Sequence, residues 1–129
     1  MSKFKLSKSS LSHIDKVDIR WHHILRKAIT LTKVDFGIPP TGGYRTLEMQ
    51  RELFNTGISP CDGMTKKSRH QSGLAVDVFA YVDGDASWKE EHLTSVAVSI
   101  LQAAAILGHK VSWGGLWTSY TDMPHFELI

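Results

Sequence analysis

Residues 68–82 read SRHQSGLAVDVFAYV, and the architecture turns on this stretch. Its second half, Leu74–Val82, is β-branched, aromatic and apolar apart from Asp77, the pattern of a strand. Its first half ends a long polar, Gly-containing run over residues 57–73 (GISPCDGMTKKSRHQSG), which reads as a loop. Long loops inside compact domains often carry function. An unpaired carboxylate in an apolar strand is expensive to bury. Asp77 therefore needs a basic partner, an edge position or a metal ion.

Working outward, apolar residues between Ile19 and Leu31 recur at near-helical spacing and predict a helix. Residues 36–44 (FGIPPTGGY) are dense in Pro and Gly and predict an extended segment entering a turn. Thr46 is placed to cap a helix running to about Thr56, with Gly57 as its stop. Ser87-Trp88-Lys89-Glu90 has the spacing of a capping box. It would open the longest helix, which carries Leu93, Val96, Ala97, Ile100, Leu101, Ala104 and Leu107 on one face and stops at Gly108. Short strands are predicted around Lys110–Trp113 and His125–Ile129, with an aromatic, Gly-containing loop between them. Residues 1–12, polar and rich in Ser and Lys, read as a loose basic arm. The fold class expected from this order is α+β, with helices packed on a small, mostly antiparallel sheet.

At 129 residues the chain has the length of one domain, residues 1–129, with no room for a separate substrate-anchoring domain. Its 42% hydrophobic and 22% charged residues exclude wholesale disorder. The single cysteine, Cys61, excludes an internal disulfide framework and a Cys-rich zinc site. Any metal would have to be held by histidines and carboxylates. Residues 1–33 hold eight Lys/Arg against Asp15 and Asp18, so the positive surplus lies there and the rest is net acidic. A basic face of that kind suits an anionic polymer, although a solvated helix face is the plainer reading. The arm lacks aromatic interleaving or a reader motif, so nucleic acid is not an expected partner. No stretch is apolar enough to span a membrane, and stable membrane association is not expected. The N-terminus lacks the apolar core of a secretory signal, which points to synthesis in a cytoplasm.

His70, in the loop, and Asp77, in the strand it feeds, are spaced to meet at the strand's entrance. His125 opens the last strand directly after Pro124 and shares a strand face with Glu127. Two histidines and a carboxylate form an N/O set that suits Zn2+, and three protein ligands leave a fourth position open for chemistry. Asp122, on the loop delivering His125, is a candidate general base, with Glu127 as the rival base or as the group that orients His125. Arg45, just before the Thr46 cap, is placed to hold a substrate carboxylate or steady an oxyanion, or else to form a surface ion pair. Trp113 and Trp117 flank Gly114-Gly115 and read equally as cleft wall or core. With seven His and eight Asp in the chain, spacing alone leaves many other combinations open.

Ser68-Arg69-His70-Gln71-Ser72-Gly73-Leu74-Ala75-Val76-Asp77 resembles the SxHxxGxAxD signature of the zinc peptidases that include D-Ala-D-Ala carboxypeptidases and dipeptidases. Asp122-Met123-Pro124-His125-Phe126-Glu127 resembles that family's second motif, and Gly43-Tyr44-Arg45-Thr46 followed by Gln50 is similar to its arginine segment. The short length and PHFEL-type ending look most like the phage L-alanyl-D-glutamate endopeptidase branch, whose members serve as endolysins.

The resemblance implies a D-Ala-D-Ala peptidase/hedgehog-like fold, without a separate wall-binding domain, and one zinc ion per chain bound by His70, Asp77 and His125. It implies Asp122 as general base, Arg45 as a substrate-binding or polarising group, and Ser68 at the mouth of the site. Asp122 departs from the Glu that many carboxypeptidase and dipeptidase members carry at the base position. The implied substrate is the peptidoglycan stem peptide, cut by a monomer released from the host cytoplasm with a holin's help. The competing readings are a D,D-carboxypeptidase or D-Ala-D-Ala dipeptidase of the same fold, and a zinc-containing binding module without turnover.

Overall fold

The computed structural model describes residues 3–129, and its element order is α1 (Lys8–His13), α2 (Ile19–Leu31), β1 (Asp35–Gly37), α3 (Leu47–Asn55), β2 (Ala75–Asp77), β3 (Phe79–Val82), β4 (Asp85–Ser87), α4 (Glu90–Leu107), β5 (Val111–Trp113) and β6 (His125–Leu128). Single 3₁₀ turns lie at Arg69–Ser72 and Gly114–Leu116. Among the described residues no helix is long and apolar enough to cross a membrane.

The Leu74–Val82 stretch forms two strands, each in its own sheet. β2 pairs with β6 in an antiparallel sheet of order β2-β6-β5, whereas β3 pairs with β1 in a second antiparallel sheet of order β1-β3-β4. The chain changes partners at Val78, whose N–H donates to the Pro124 carbonyl at 3.0 Å. Side-chain alternation runs unbroken through the change: Val76, Val78 and Ala80 are fully buried, while Asp77, Phe79 and Tyr81 face away from the core. Asp77 thus ends a strand where two sheets part, with its carboxylate aimed off the core.

The core lies between α2 and α4 and against both sheets. Trp21, Ile24, Leu25 and Ala28 of α2 meet Val96, Ala97 and Ile100 of α4, with Val76 and Phe126 from the sheet. The buried Trp21 ring is satisfied by donating its Nε1–H to the Leu74 carbonyl at 2.9 Å. Both helices form as predicted, but Ile19 of α2 and Leu107 of α4, expected on the apolar faces, lie exposed at the helix ends. Ser99 and Ala103 join the buried face of α4. Gly108 closes α4 in the left-handed region that glycine favours. Thr46 caps α3 by accepting from the Met49 N–H.

Two further local expectations differ. Ser87 ends β4 and does not cap α4; Lys89 occupies the cap position without a side-chain bond, and the Ser87 hydroxyl sits 2.6 Å from His92 Nδ1. Pairing of Asp85–Ser87 with β3 claims the backbone that a capping box would use. Residues 8–12, expected within a loose arm, are helical; residues 1–2 of that arm lie outside the described residues. Ser7 caps α1, and Ser10 is buried and accepts the Ile38 N–H at 3.0 Å. Serine-rich sequence suits caps and backbone contacts as well as disorder, and here a long-range partner decides.

Asp18 caps α2, accepts the Arg20 N–H and forms an ion pair with the Arg20 guanidinium at 2.9 Å. Asp18→Ala is expected to lower the unfolding free energy by about 1 kcal/mol in urea denaturation at neutral pH. Hydrogen bonds from the Arg20 side chain and backbone lower the Asp18 pKa from 3.8 to about 2. The charge's contribution is therefore complete above the unfolded value and is lost as pH falls through about 2. The stability gap between wild type and variant should narrow over that range.

Candidate metal centre and catalytic cleft

The three histidine and carboxylate candidates come together at one point. His70 arrives on the 3₁₀ turn that Ser68 caps, with Gln71 reaching back to the Ser68 N–H, so a complete capping box fixes the turn. Asp77 lies directly across the sheet from His125 in the β2–β6 register. His70 Nε2, Asp77 Oδ1 and His125 Nδ1 are 3.1 to 3.3 Å from one another.

The opposite face of each imidazole determines which nitrogen carries the proton. His70 Nδ1 lies 2.9 Å from the Gly43 carbonyl, which can only accept, so Nδ1 carries a hydrogen and Nε2 is the nitrogen turned toward Asp77 and His125. His125 Nε2 lies 2.8 Å from Glu127 Oε1, so the Nε2–H donates there and Nδ1 is turned toward Asp77 and His70. Two imidazole nitrogens and a carboxylate oxygen thus converge on one small volume. Such a convergence requires positive charge, supplied by a proton on an imidazole or by a metal ion. These same three residues group as a set able to hold a metal. Carboxylate and backbone acceptors that orient ligand imidazoles are the usual support of such centres.

Charge around the triad is closely matched. Burial alone would raise the Asp77 pKa, but hydrogen bonds from His125 and His70 and their charge hold it well below the usual carboxylate range. Burial opposes the charged form of His125, yet the hydrogen bond and charge of Asp77, with Glu127, raise its pKa. Arg45 is buried and satisfied on all three nitrogens: Nη2 donates to Asp77 Oδ2 at 2.9 Å, Nη1 to Gln50 Oε1, and Nε to the Thr41 carbonyl. Burial lowers the Arg45 pKa, partly offset by Asp77 and Asp122. Arg69 pairs with Glu127 at 3.4 Å and donates to the Leu128 carbonyl, extending the line of contacts behind His125.

The triad forms the floor of a cleft of about 640 Å3. Asp122 opens into it, held at the backbone by donation to the Gly114 carbonyl and by accepting the His125 N–H. The fit at Gly114 is close: a Cβ there would lie 2.2 Å from the Asp122 carbonyl oxygen. Burial and the neighbouring Asp77 charge raise the Asp122 pKa above its ordinary value. Ser68 lines the same cleft while its hydroxyl accepts the His70 N–H. Glu127 lines it beside His125. The two tryptophans separate: Trp113 is in the core, stacked on Phe126, whereas Trp117 lines the cleft with its ring 5.2 Å from that of His125.

The whole chain, residues 1–129, matches the model of a family described as phage L-alanyl-D-glutamate peptidase. The chain belongs to that family. It is 29% identical over 126 residues to the L-alanyl-D-glutamate peptidase of Escherichia phage T5, a match covering 97% of this chain and 89% of that protein. It is 30% identical over 100 residues to the peptidoglycan L-alanyl-D-glutamate endopeptidase CwlK of Bacillus subtilis (strain 168), covering 69% of this chain and 59% of that one. Among solved structures, the Serratia marcescens L-Ala D-Glu endopeptidase ChiX superposes with a TM-score of 0.84 at 32% identity, covering 98% of this chain and 92% of that one. The expected fold and peptidase family stand.

Two supporting features were less visible in the sequence. Gln50, the one buried residue of α3, bridges Arg45, Ser59 and the Cys61 carbonyl. The resemblance to the arginine segment singles it out, but its bridging role follows from a polar residue on the inward face of a short amphipathic helix. Trp88 and Tyr120 also line the cleft, brought there by loops with no periodic signal. If Glu127 fixes the His125 tautomer, Glu127→Ala should weaken Zn2+ affinity about 10- to 100-fold in calorimetric titration. The thermal unfolding of the metal-free protein should change by only a few degrees.

Proposed function

We propose that this chain is a zinc-dependent L-alanyl-D-glutamate endopeptidase that cuts peptidoglycan stem peptides and serves as a phage endolysin. The observation that carries the proposal is the convergence of two imidazole nitrogens and one carboxylate oxygen in the cleft that Asp122 lines, in a chain matching the peptidase family along its full length. Two imidazoles and a carboxylate suit Zn2+, one per chain, with His70, Asp77 and His125 as its ligands. Bound there, the ion would polarise a carbonyl and lower the pKa of a water.

The chain's own groups supply the rest. Asp122 takes the proton of the attacking water and returns it to the leaving amine, and its raised pKa makes it the stronger base. Arg45 keeps Asp77 in place and brings a buried positive charge to the cleft, favouring the negative charge that develops on the scissile carbonyl oxygen. Glu127 holds the His125 Nε2–H so that Nδ1 stays available, and Ser68 ties the His70 turn to the cleft mouth. The phage family and the phage T5 relative support an endolysin's setting. In that setting the protein is made in the host cytoplasm, acts as a monomer, and reaches the wall after holin-dependent release.

Purified peptidoglycan digested by the protein should yield soluble peptides with new N-terminal D-Glu by mass spectrometry. A chelator should abolish them and added zinc restore them; free D-Ala as the product would instead assign the carboxypeptidase activity. Asp122→Ala should keep one zinc per chain and the wild-type circular dichroism while turnover drops about 10²- to 10⁴-fold. Near-wild-type turnover in that variant would transfer the base role to Glu127.

A further inference from the structure

Of the cationic side chains lining the cleft, two are engaged and two are not. The cations are Arg45, Lys66, Lys67 and Arg69; the carboxylates beside them are Asp77, Asp122 and Glu127. Arg45 is held by Asp77, Gln50 and Thr41, and Arg69 by Glu127 and the Leu128 carbonyl. Lys66 and Lys67 are exposed and pair with no carboxylate among the described residues. The Lys66 backbone is nonetheless fixed. The Lys66 N–H donates to Asp62 Oδ1 at 2.9 Å, the Lys66 carbonyl accepts the Gly63 N–H, and Gln71 of the His70 turn donates to the Gly63 carbonyl at 3.0 Å. The two uncommitted ammonium groups are therefore carried on a lip tied to the turn that delivers His70.

A substrate with glutamate after the scissile bond brings a charge that this lip can meet. The carbon bearing the scissile nitrogen of D-Glu also bears its α-carboxyl group. That group is free when the peptide continues through the γ-carboxyl. An anion thus enters beside the reacting amide, close to Asp122 and Glu127, and needs a cation not already engaged. Resting on the endopeptidase reading above, we propose that Lys66 and Lys67 are specificity residues that bind the free α-carboxylate of D-Glu on the leaving-group side, so that the enzyme distinguishes the acid from its α-amide. The carboxylates of the third stem residue carry the same chemistry and form the rival source.

The test uses the zinc-loaded full chain, wild type and Lys66→Gln/Lys67→Gln, with three N-acetylated tripeptides. These are L-Ala-γ-D-Glu-L-Lys, its D-Glu α-carboxamide, and L-Ala-γ-D-Glu-meso-diaminopimelate. Wild type should favour the acid over the amide about fivefold in kcat/KM, mainly through KM, with the preference shrinking as salt is raised. The double variant should lose that preference, cleave the amide within about twofold of wild type, and keep its zinc content and melting temperature. Equal cleavage of acid and amide by wild type, or an equal loss on both in the variant, overturns the proposal. So does a loss confined to the diaminopimelate peptide. If no peptide is cut, the endopeptidase reading fails on its own, and calorimetric binding of the acid and amide peptides decides the lysine proposal. Tighter, lysine-dependent binding of the acid upholds it; equal or absent binding overturns it.

Discussion

A carboxylate at the seam of two sheets cannot remain unaccompanied, and the arrangement around Asp77 follows from that requirement. Its two oxygens divide the work: Oδ2 takes Arg45, and Oδ1 faces His70 and His125. Each partner is anchored in turn. The Gly42 carbonyl accepts the Asp77 N–H and the Gly43 carbonyl accepts the His70 Nδ1–H, so one glycine pair positions two of the three converging groups. A Cβ on Gly43 would fall 1.8 Å from the His13 carbonyl oxygen, because the end of α1 lies directly against it. The N-terminal helix is thereby part of the support for the centre.

The cleft's lining is mixed in chemistry. One lip carries Lys66 and Lys67 on a segment pinned through Gln71, while Trp88, Trp117 and Tyr120 supply aromatic surface. Asp77, Asp122, Glu127 and the two engaged arginines line the same cleft. This arrangement lets the same small domain hold a charged reaction centre and still present free cations to a charged ligand, because Arg45 and Arg69 are committed to the structure and the lysines are not.

Much of this is legible in the sequence. The helices over Ile19–Leu31 and Glu90–Leu107 announce themselves by periodicity, Thr46 by its side-chain cap, and Gly108 by its left-handed stop. His70, Asp77 and His125 can be picked out as a set by residue type and motif. The change of sheets at Val78 cannot, because a period of two specifies which face a residue takes and leaves its hydrogen-bonding partner open. Ser87 misleads for a related reason: its spacing fits a cap, but pairing with β3 has the stronger claim on its backbone. The α1 helix is hidden because Ser10 finds its partner, the Ile38 N–H, 28 residues away.

The register that sets Asp77 opposite His125 has a thermodynamic side as well. These residues are 48 positions apart, and an ion gripping both would act as a clip across the chain between them. The unfolded chain cannot hold that geometry, so whatever free energy such an ion gains on binding also favours folding. Binding of the ion and pairing of these two strands would then strengthen one another.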